Sequence, residues 1–351
     1  MISFLIRHLL ESTFFCVLLS AFACGLRRGP TARYAVWLMG VAKFAIPTVL
    51  LAKTGGQIAF FWPAGSWLTL ATSKISYALA VMLSLFPADK NLDLLAGWAC
   101  GTAAMISIWF IRLGKSKQVL TLPTEREQQA LMRMRALLRI HWPVRLRCSD
   151  DVVEPALRGI WHPTITISKG LSDRLTPAEF EAVLLHELVH ARRFDNLTSA
   201  FVHALVCLFW FHPLLWVLER RLNVERERAC DETVMACGME PEIYAAGILK
   251  VCQFQLFDAA PGVRAPGMSS MTGADLRTRL ERILDAPAPA SLRYVPWLLM
   301  AGLTIFMTLV PIAGGYCEQC GSNGQSSSEP ATGFRCKTPT TCAQGAPRGV
   351  Q

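Results

Sequence analysis

Charge is what this sequence has least of. Only 17% of its 351 residues are Asp, Glu, Lys or Arg, against 52% hydrophobic residues and a mean hydropathy of +0.33. A soluble globular chain carries about 25% charged residues, so this balance excludes an ordinary soluble domain and predicts membrane spans. The formal charge of +9 does not point to nucleic acid. There is no basic patch interleaved with aromatics, and many arginines flank apolar runs, where they set membrane topology. A cleavage signal is missing too. Residues 9–24 are apolar and precede Arg27, Arg28 and Arg33, but no small-x-small site opens onto a polar mature region. A second apolar run starts at once, so the first is read as a retained span. No internal repeat is visible, which excludes a solenoid.

Cysteine is not scarce, and its twelve copies divide in two. Cys16, Cys24, Cys100, Cys148, Cys207, Cys230, Cys237 and Cys252 lie in apolar or helical stretches and read as small buried hydrophobes. Cys317, Cys320, Cys336 and Cys342 crowd the last 35 residues. That density implies disulfides in an oxidising compartment or a metal cluster, and four cysteines allow three pairings.

The apolar runs predict spans at about 3–24, 34–52 and 94–112, the second containing Lys43 and Pro47. Residues 67–86 form another run, with Lys74 inside it. If they crossed the bilayer, loop 25–33 would face away from Arg112, Lys115 and Lys117, against the positive-inside rule. They are read as a re-entrant or interfacial helix. The N-terminus then lies outside and the chain after residue 112 inside. Residues 113–175 read as folded cytoplasmic chain, with an amphipathic helix over Glu125–Ile140 and short strands at Val144–Cys148 and Thr164–Ser168. Such a strand either pairs with an extended substrate or only covers the next helix.

That next helix, Thr176–Arg192, carries His186-Glu187-Leu188-Val189-His190. Thr176, Pro177 and Glu179 form its start signal, a capping box with proline in the first turn. His186 and His190 are four apart and share one face. Two neutral imidazoles so placed can bind one Zn²⁺, with Glu187 beside them to take a proton from water. The simpler reading is a satisfied helical histidine pair. Thr198–Leu218 is nearly long enough to cross a bilayer, but crossing would strand any later ligand on the wrong side. Pro213 breaks the run, and the piece 198–211 rises only about 21 Å, short of a roughly 30 Å hydrocarbon core. A membrane-associated helical hairpin over 198–237 follows. Further helices are expected at about 241–256 and Asp275–Asp285. Residues 257–272 form a Gly/Pro/Ser loop, 286–291 a Pro-Ala linker and 296–313 the last span. The polar tail from Gly314 lies outside.

A catalytic zinc site needs a third protein ligand. The local H-E-x-x-H-x-x-G-x-x-H extension is absent, since Arg193 and Asn196 occupy its positions. A later glutamate is the next choice, and spacing does not choose among Glu219, Glu225 and Glu227. Glu227 and Asp231 share a helical face, so Glu227 can ligate while Asp231 holds a ligand imidazole; Asp195 is another such support. Any one of these acids taken alone is better read as part of a solvated face paired with Arg226 and Arg228.

Together, HELVHARRFDN (186–196), FHPLLW within 210–216 and ERERACDE (225–232) resemble the BlaR/MecR-type membrane metallopeptidases, antirepressor transducers of resistance operons, over residues 1–313. The resemblance implies a mainly α, multi-span membrane protein whose α+β gluzincin-like zinc peptidase domain lies between the third and fourth spans. It implies zinc ligands His186, His190 and Glu227, catalytic Glu187, a supporting Asp231, a cytoplasmic repressor as substrate, and self-cleavage in loop 257–272. The expected organisation is a membrane region 1–112, a cytoplasmic peptidase domain 113–286, a linker and last span 287–313, and an extracytoplasmic tail 314–351, in the inner membrane. One departure is plain. The sequence has no S-x-x-K, and about 38 residues after the last span are too few for a penicillin-binding sensor, so β-lactam acylation is not expected. Two other readings stay open: a housekeeping membrane protease of the HtpX type, and a non-catalytic membrane receptor with a structural metal.

Overall fold

The computed structural model describes residues 2–25, 29–46, 91–114, 120–150, 154–257 and 273–285. In chain order the elements are helices α1 (Ile2–Gly25), α2 (Pro30–Ala45), α3 (Asn91–Gly114) and α4 (Glu125–Leu137), then strands β1 (Arg145–Ser149), β2 (Ala156–Arg158) and β3 (Thr164–Ser168). Helices α5 (Leu171–Arg174), α6 (Pro177–Arg193), α7 (Asp195–Leu208), α8 (Pro213–Ala236), α9 (Pro241–Phe257) and α10 (Gly273–Leu284) follow. The fold is mainly helical with one small sheet.

Helices α4 and α6 start alike. Thr124 and Thr176 each accept a bond from the N–H three residues on, and Glu127 and Glu179 reach back to the threonine N–H. Each box satisfies two amides that a helix start leaves without partners. Lys250 of α9 then donates to both oxygens of Glu179, at 2.8 and 2.7 Å. The expected α6 capping signals, Pro177 included, are all present.

Every residue of α6 from Ala182 to Ala191 is buried. A helix buried on all sides is a central one. Around it lie α4, the sheet, α9 and the C-terminal part of α8, in a core that includes Leu131, Leu146, Ile165, Ile167, Phe180, Leu184, Leu185 and Leu188. Each such side chain contributes about 1.5–3 kcal/mol by burial. In the sheet, β3 is central, parallel to β1 and antiparallel to β2. The strands expected at 144–148 and 164–168 appear at 145–149 and 164–168. β2 was not expected, because three residues cannot display an alternation. Side chains secure it: Thr166 Oγ1 donates to Ala156 O at 3.1 Å, and Asn196 Nδ2 to Leu157 O at 3.1 Å and Gly159 O at 2.9 Å.

A second apolar cluster joins α1, α2, α7 and the first half of α8, through Phe15, Leu19, Val36, Trp37, Phe44, Val206, Phe209, Leu215 and Leu218. α8 therefore bridges the two cores: Leu215, Leu218 and Leu222 pack in one, Cys230 and Val234 in the other. The start of α2 is clamped to α6 and α8. Thr31 Oγ1 donates to Glu232 at 2.7 Å, Arg33 Nε to Glu225 at 2.9 Å, and the Arg193 guanidinium lies 4.7 Å from the Tyr34 ring centre.

Among the described residues one helix is long and apolar enough to cross a membrane, Leu92–Gly114, and only 6% of its most apolar window is covered by protein. It contains the expected span 94–112. Trp98 Nε1 donates to Leu208 O at 2.8 Å, which ties it to the end of α7. The second run departs from expectation. α2 starts at Pro30 after a left-handed Gly29 (φ 94°) and stops at Ala45, with Ile46 extended. Proline at 47 disfavours the helical region for the residue before it. α4 also ends early, at Leu137 instead of Ile140, because Arg139 adopts φ 54° and turns the chain back toward the core. The first hairpin helix runs Asp195–Leu208 in place of 198–211, and Pro213 opens α8 as expected. The run 67–86, all of loop 257–272 but Phe257, which ends α9, linker 286–291, span 296–313 and tail 314–351 lie outside the described residues.

The two kinds of support for α6 differ in size. Leu184→Ala, at a fully buried position, is expected to cost about 2–5 kcal/mol, whereas Thr176→Ala at the cap costs about 1 kcal/mol. Denaturant unfolding of the detergent-solubilised protein, followed by tryptophan fluorescence, checks that order.

Candidate metal centre

The site forms where α8 crosses α6. His186 and His190 stand one helical turn apart with their rings perpendicular, Nε2 to Nε2 at 3.2 Å. Glu227 of α8 brings Oε2 to 3.4 Å from the first and 3.7 Å from the second. A four-coordinate zinc ion with bonds of about 2.0–2.1 Å separates its ligand atoms by roughly 3.3 Å, so three edges of 3.2, 3.4 and 3.7 Å fit one metal ion. The other acids are committed elsewhere. Glu219 accepts from His203 at 2.7 Å, and Glu225 holds Arg33 and Arg228 at 2.9 and 2.7 Å. Glu227 does pair with Arg226, but through its other oxygen, at 3.1 Å.

The electrostatics suit a cation. Burial works to raise the Glu227 carboxyl, yet the hydrogen bonds from His186 and His190 hold it well below the usual carboxylate range. Burial works to lower His190, but its bonds to Asp195, Cys230 and Glu227 hold it well above an ordinary imidazole. The pocket thus favours positive charge at its centre, and a divalent metal competes there with protons. Glu187 is buried beside the histidines. Burial pushes its carboxyl up, while the two imidazoles and the Leu157 backbone amide of β2 oppose the rise.

Each imidazole is held from behind. The chain leaves α6 through Phe194 at φ 55°, a left-handed turn in which the phenyl ring stacks on Trp142. The turn folds Asp195 back under His190, whose Nδ1 donates to Asp195 Oδ2 at 2.7 Å. Cys230 Sγ lies 3.3 Å from the same Nδ1 and 3.6 Å from Asp195. Asp195 and Cys230 crowd the outer side of the ring, away from the Nε2 that faces Glu227.

Asp231, expected to hold one of the ligand imidazoles, stands 3.5 Å from His186 Nδ1. The direct partner is Tyr244 of α9, with Oη 2.8 Å from Nδ1. Tyr244 donates to Asp231 at 2.6 Å, and Arg279 of α10 donates to both Asp231 oxygens at 2.9 and 2.7 Å. Burial, then the adjacent Asp231, push the Tyr244 phenol well above its ordinary value, so it stays neutral. Sequence reasoning missed Tyr244 and Arg279. One lies in an apolar run and the other in a charge-rich helix, and neither has a fixed spacing from the histidine box.

The comparisons agree with this architecture. Residues 3–283 match the family model described as BlaR1 peptidase M56. The chain is 32% identical over 144 residues to "Regulatory protein BlaR1" of Bacillus licheniformis, covering 40% of this chain and 24% of that relative. It is 23% identical over 92 residues to "Methicillin resistance mecR1 protein" of Staphylococcus aureus, covering 26% and 16%. It is also 24% identical over 204 residues to "Protease HtpX" of Pseudomonas fluorescens, covering 53% and 68%. The chain thus spans about a quarter or less of the regulatory relatives. A model match over most of the sequence, together with a buried pair of helical histidines facing a glutamate from a later helix, places the chain in the BlaR1 family of M56 peptidases.

Proposed function

We propose that the protein is a membrane-anchored, zinc-dependent endopeptidase of the regulatory type. The observation that carries this reading is the convergence of His186 Nε2, His190 Nε2 and Glu227 Oε2 within 3.2–3.7 Å, with Glu187 beside them. Two imidazoles and one carboxylate suit Zn²⁺ and leave a coordination position open. Zinc, when bound, polarises the scissile carbonyl and acidifies water. Glu187 takes the proton of the attacking water and returns it to the leaving amine. Asp195 and Tyr244 hold the two imidazoles. β2 is one of the two edge strands of the sheet and lies beside Glu187, which supports an extended peptide segment as substrate.

The apolar runs and arginine clusters support spans at 3–24, 34–52, 94–112 and 296–313, a cytoplasmic peptidase domain and an extracytoplasmic Cys-bearing tail. The names of the regulatory relatives support a signalling role. The substrate proposed is a cytoplasmic transcriptional repressor, with self-cleavage within 257–272. The match to Protease HtpX, which extends over 68% of that relative, favours a second reading: housekeeping cleavage of many membrane proteins.

Metal analysis and peptide hydrolysis with the detergent-purified chain test the chemistry. Wild type is expected to carry one zinc per chain. Glu187→Ala keeps the zinc and loses at least about a hundredfold in hydrolysis, while Glu227→Ala loses the zinc. A wild-type protein that binds no metal overturns the reading. Proteomics of a deletion strain separates the two roles, through one stabilised repressor or many stabilised membrane proteins. For self-cleavage, N-terminal sequencing should find a new terminus within 257–272 in wild type and none in Glu187→Ala; full-length chain alone in both removes that part of the proposal.

A further inference from the structure

We propose that Tyr244 and Arg279 are positioning residues that decide which nitrogen of His186 faces the metal, so that α10 must be seated for the site to hold its ion tightly. The inference rests on the metal-centre reading above. Its basis is the direction of each hydrogen bond. A guanidinium only donates, and an ionised carboxylate only accepts. Arg279 gives Nε to Asp231 Oδ2 at 2.9 Å and Nη2 to Oδ1 at 2.7 Å. Tyr244 has a single proton, and Asp231 Oδ1, 2.6 Å away, takes it. Arg279 Nη2, 3.4 Å from Tyr244 Oη, points a second donor at the same oxygen. Oη can therefore meet His186 only as an acceptor, and at 2.8 Å it takes a proton from Nδ1. The proton on Nδ1 leaves the lone pair on Nε2, the atom that faces His190 and Glu227.

The Nδ1 and phenol protons both point toward Asp231, so the tautomer of His186 is set by a carboxylate two hydrogen bonds away. The two ligands are held differently. His190 meets a carboxylate directly, at 2.7 Å, from a residue five positions along the chain. His186 meets a neutral phenol, and the charge behind that phenol comes from α8 and α10. All members of the relay are buried or nearly so: Tyr244 is 1% exposed, and the side chains of Asp231 and Arg279 are 8% and 14% exposed. Water does not compete for these bonds, and removing one donor leaves a buried acceptor without its partner.

The test uses the full chain in detergent. Zinc affinity is measured by chelator competition, the visible spectrum is recorded after Co²⁺ loading, and thermal unfolding of the metal-free protein is followed in parallel. Tyr244→Phe removes one oxygen and keeps the ring. It is expected to weaken zinc binding at least tenfold and to shift the cobalt bands, while the metal-free protein still unfolds in one cooperative transition. Arg279→Gln is expected to weaken zinc binding to a similar degree, and Arg279→Lys to fall between Gln and wild type. Wild-type zinc affinity and an unchanged cobalt spectrum in Tyr244→Phe overturn the proposal, as does a lowered metal-free melting temperature with unchanged affinity. Wild-type affinity in Arg279→Gln removes α10 from the relay. If Arg279→Gln does not fold, Tyr244→Phe decides alone. A wild-type chain without affinity for zinc overturns the metal centre itself, an outcome distinct from all of these.

Discussion

Two imidazoles and a carboxylate forced face to face inside a helical core have few ways to be stable. Their converging lone pairs need either protons or a cation between them, and in a poorly solvated site that need is strong. The rest of the described structure serves this constraint. α6 is central and buried all round, so the histidines lie at depth. α8 crosses it so that a carboxylate arrives from a separate element, and the sheet places β2 beside Glu187. Arg226 occupies the oxygen of Glu227 that the imidazoles do not. The protein thus presents one carboxylate oxygen, and only one, to the histidine pair.

α8 does two jobs. At 24 residues it is about 36 Å long. Its first half is packed among α1, α2 and α7, and its second half reaches the peptidase core with Glu227 and Asp231. Glu225 and Glu232, on either side of those residues, are the groups that α2 grips through Arg33 and Thr31. The metal centre and the apolar N-terminal cluster therefore share a rod, and neither can be repacked without touching the other.

What could be read from the sequence was what is local. The histidine box, its capping box and the break at Pro213 each depend on residues within a few positions, and each is where it was expected. The ends of α2 and α4 were misplaced because they depend on a Pro47 effect and on a left-handed Arg139, which apolar periodicity does not register. β2 escaped because its stability comes from β3 and Asn196 instead of from its own three residues. Glu227 could not be told from Glu219 or Glu225 by spacing; what separates them is where His203, Arg33 and Arg228 sit in space. Asp231 was expected to hold a ligand imidazole without a choice between the two; it stands 3.5 Å from His186, and Tyr244, from another helix, makes the shorter contact.

The left-handed turn at Phe194 has a kinetic meaning. It lets His190 find Asp195 by closing a loop of five residues, whereas His186 must wait for Tyr244, 58 residues away, and Asp231 for Arg279, 48 residues away. By loop-closure entropy alone the first His186 contact costs about 2 kcal/mol more to form than the His190 one. Half of the site is thus organised as soon as α6 and the start of α7 exist, and the other half arrives with the last described helix. During synthesis the metal pocket would be completed from its C-terminal side, after nearly all of the peptidase domain has been made.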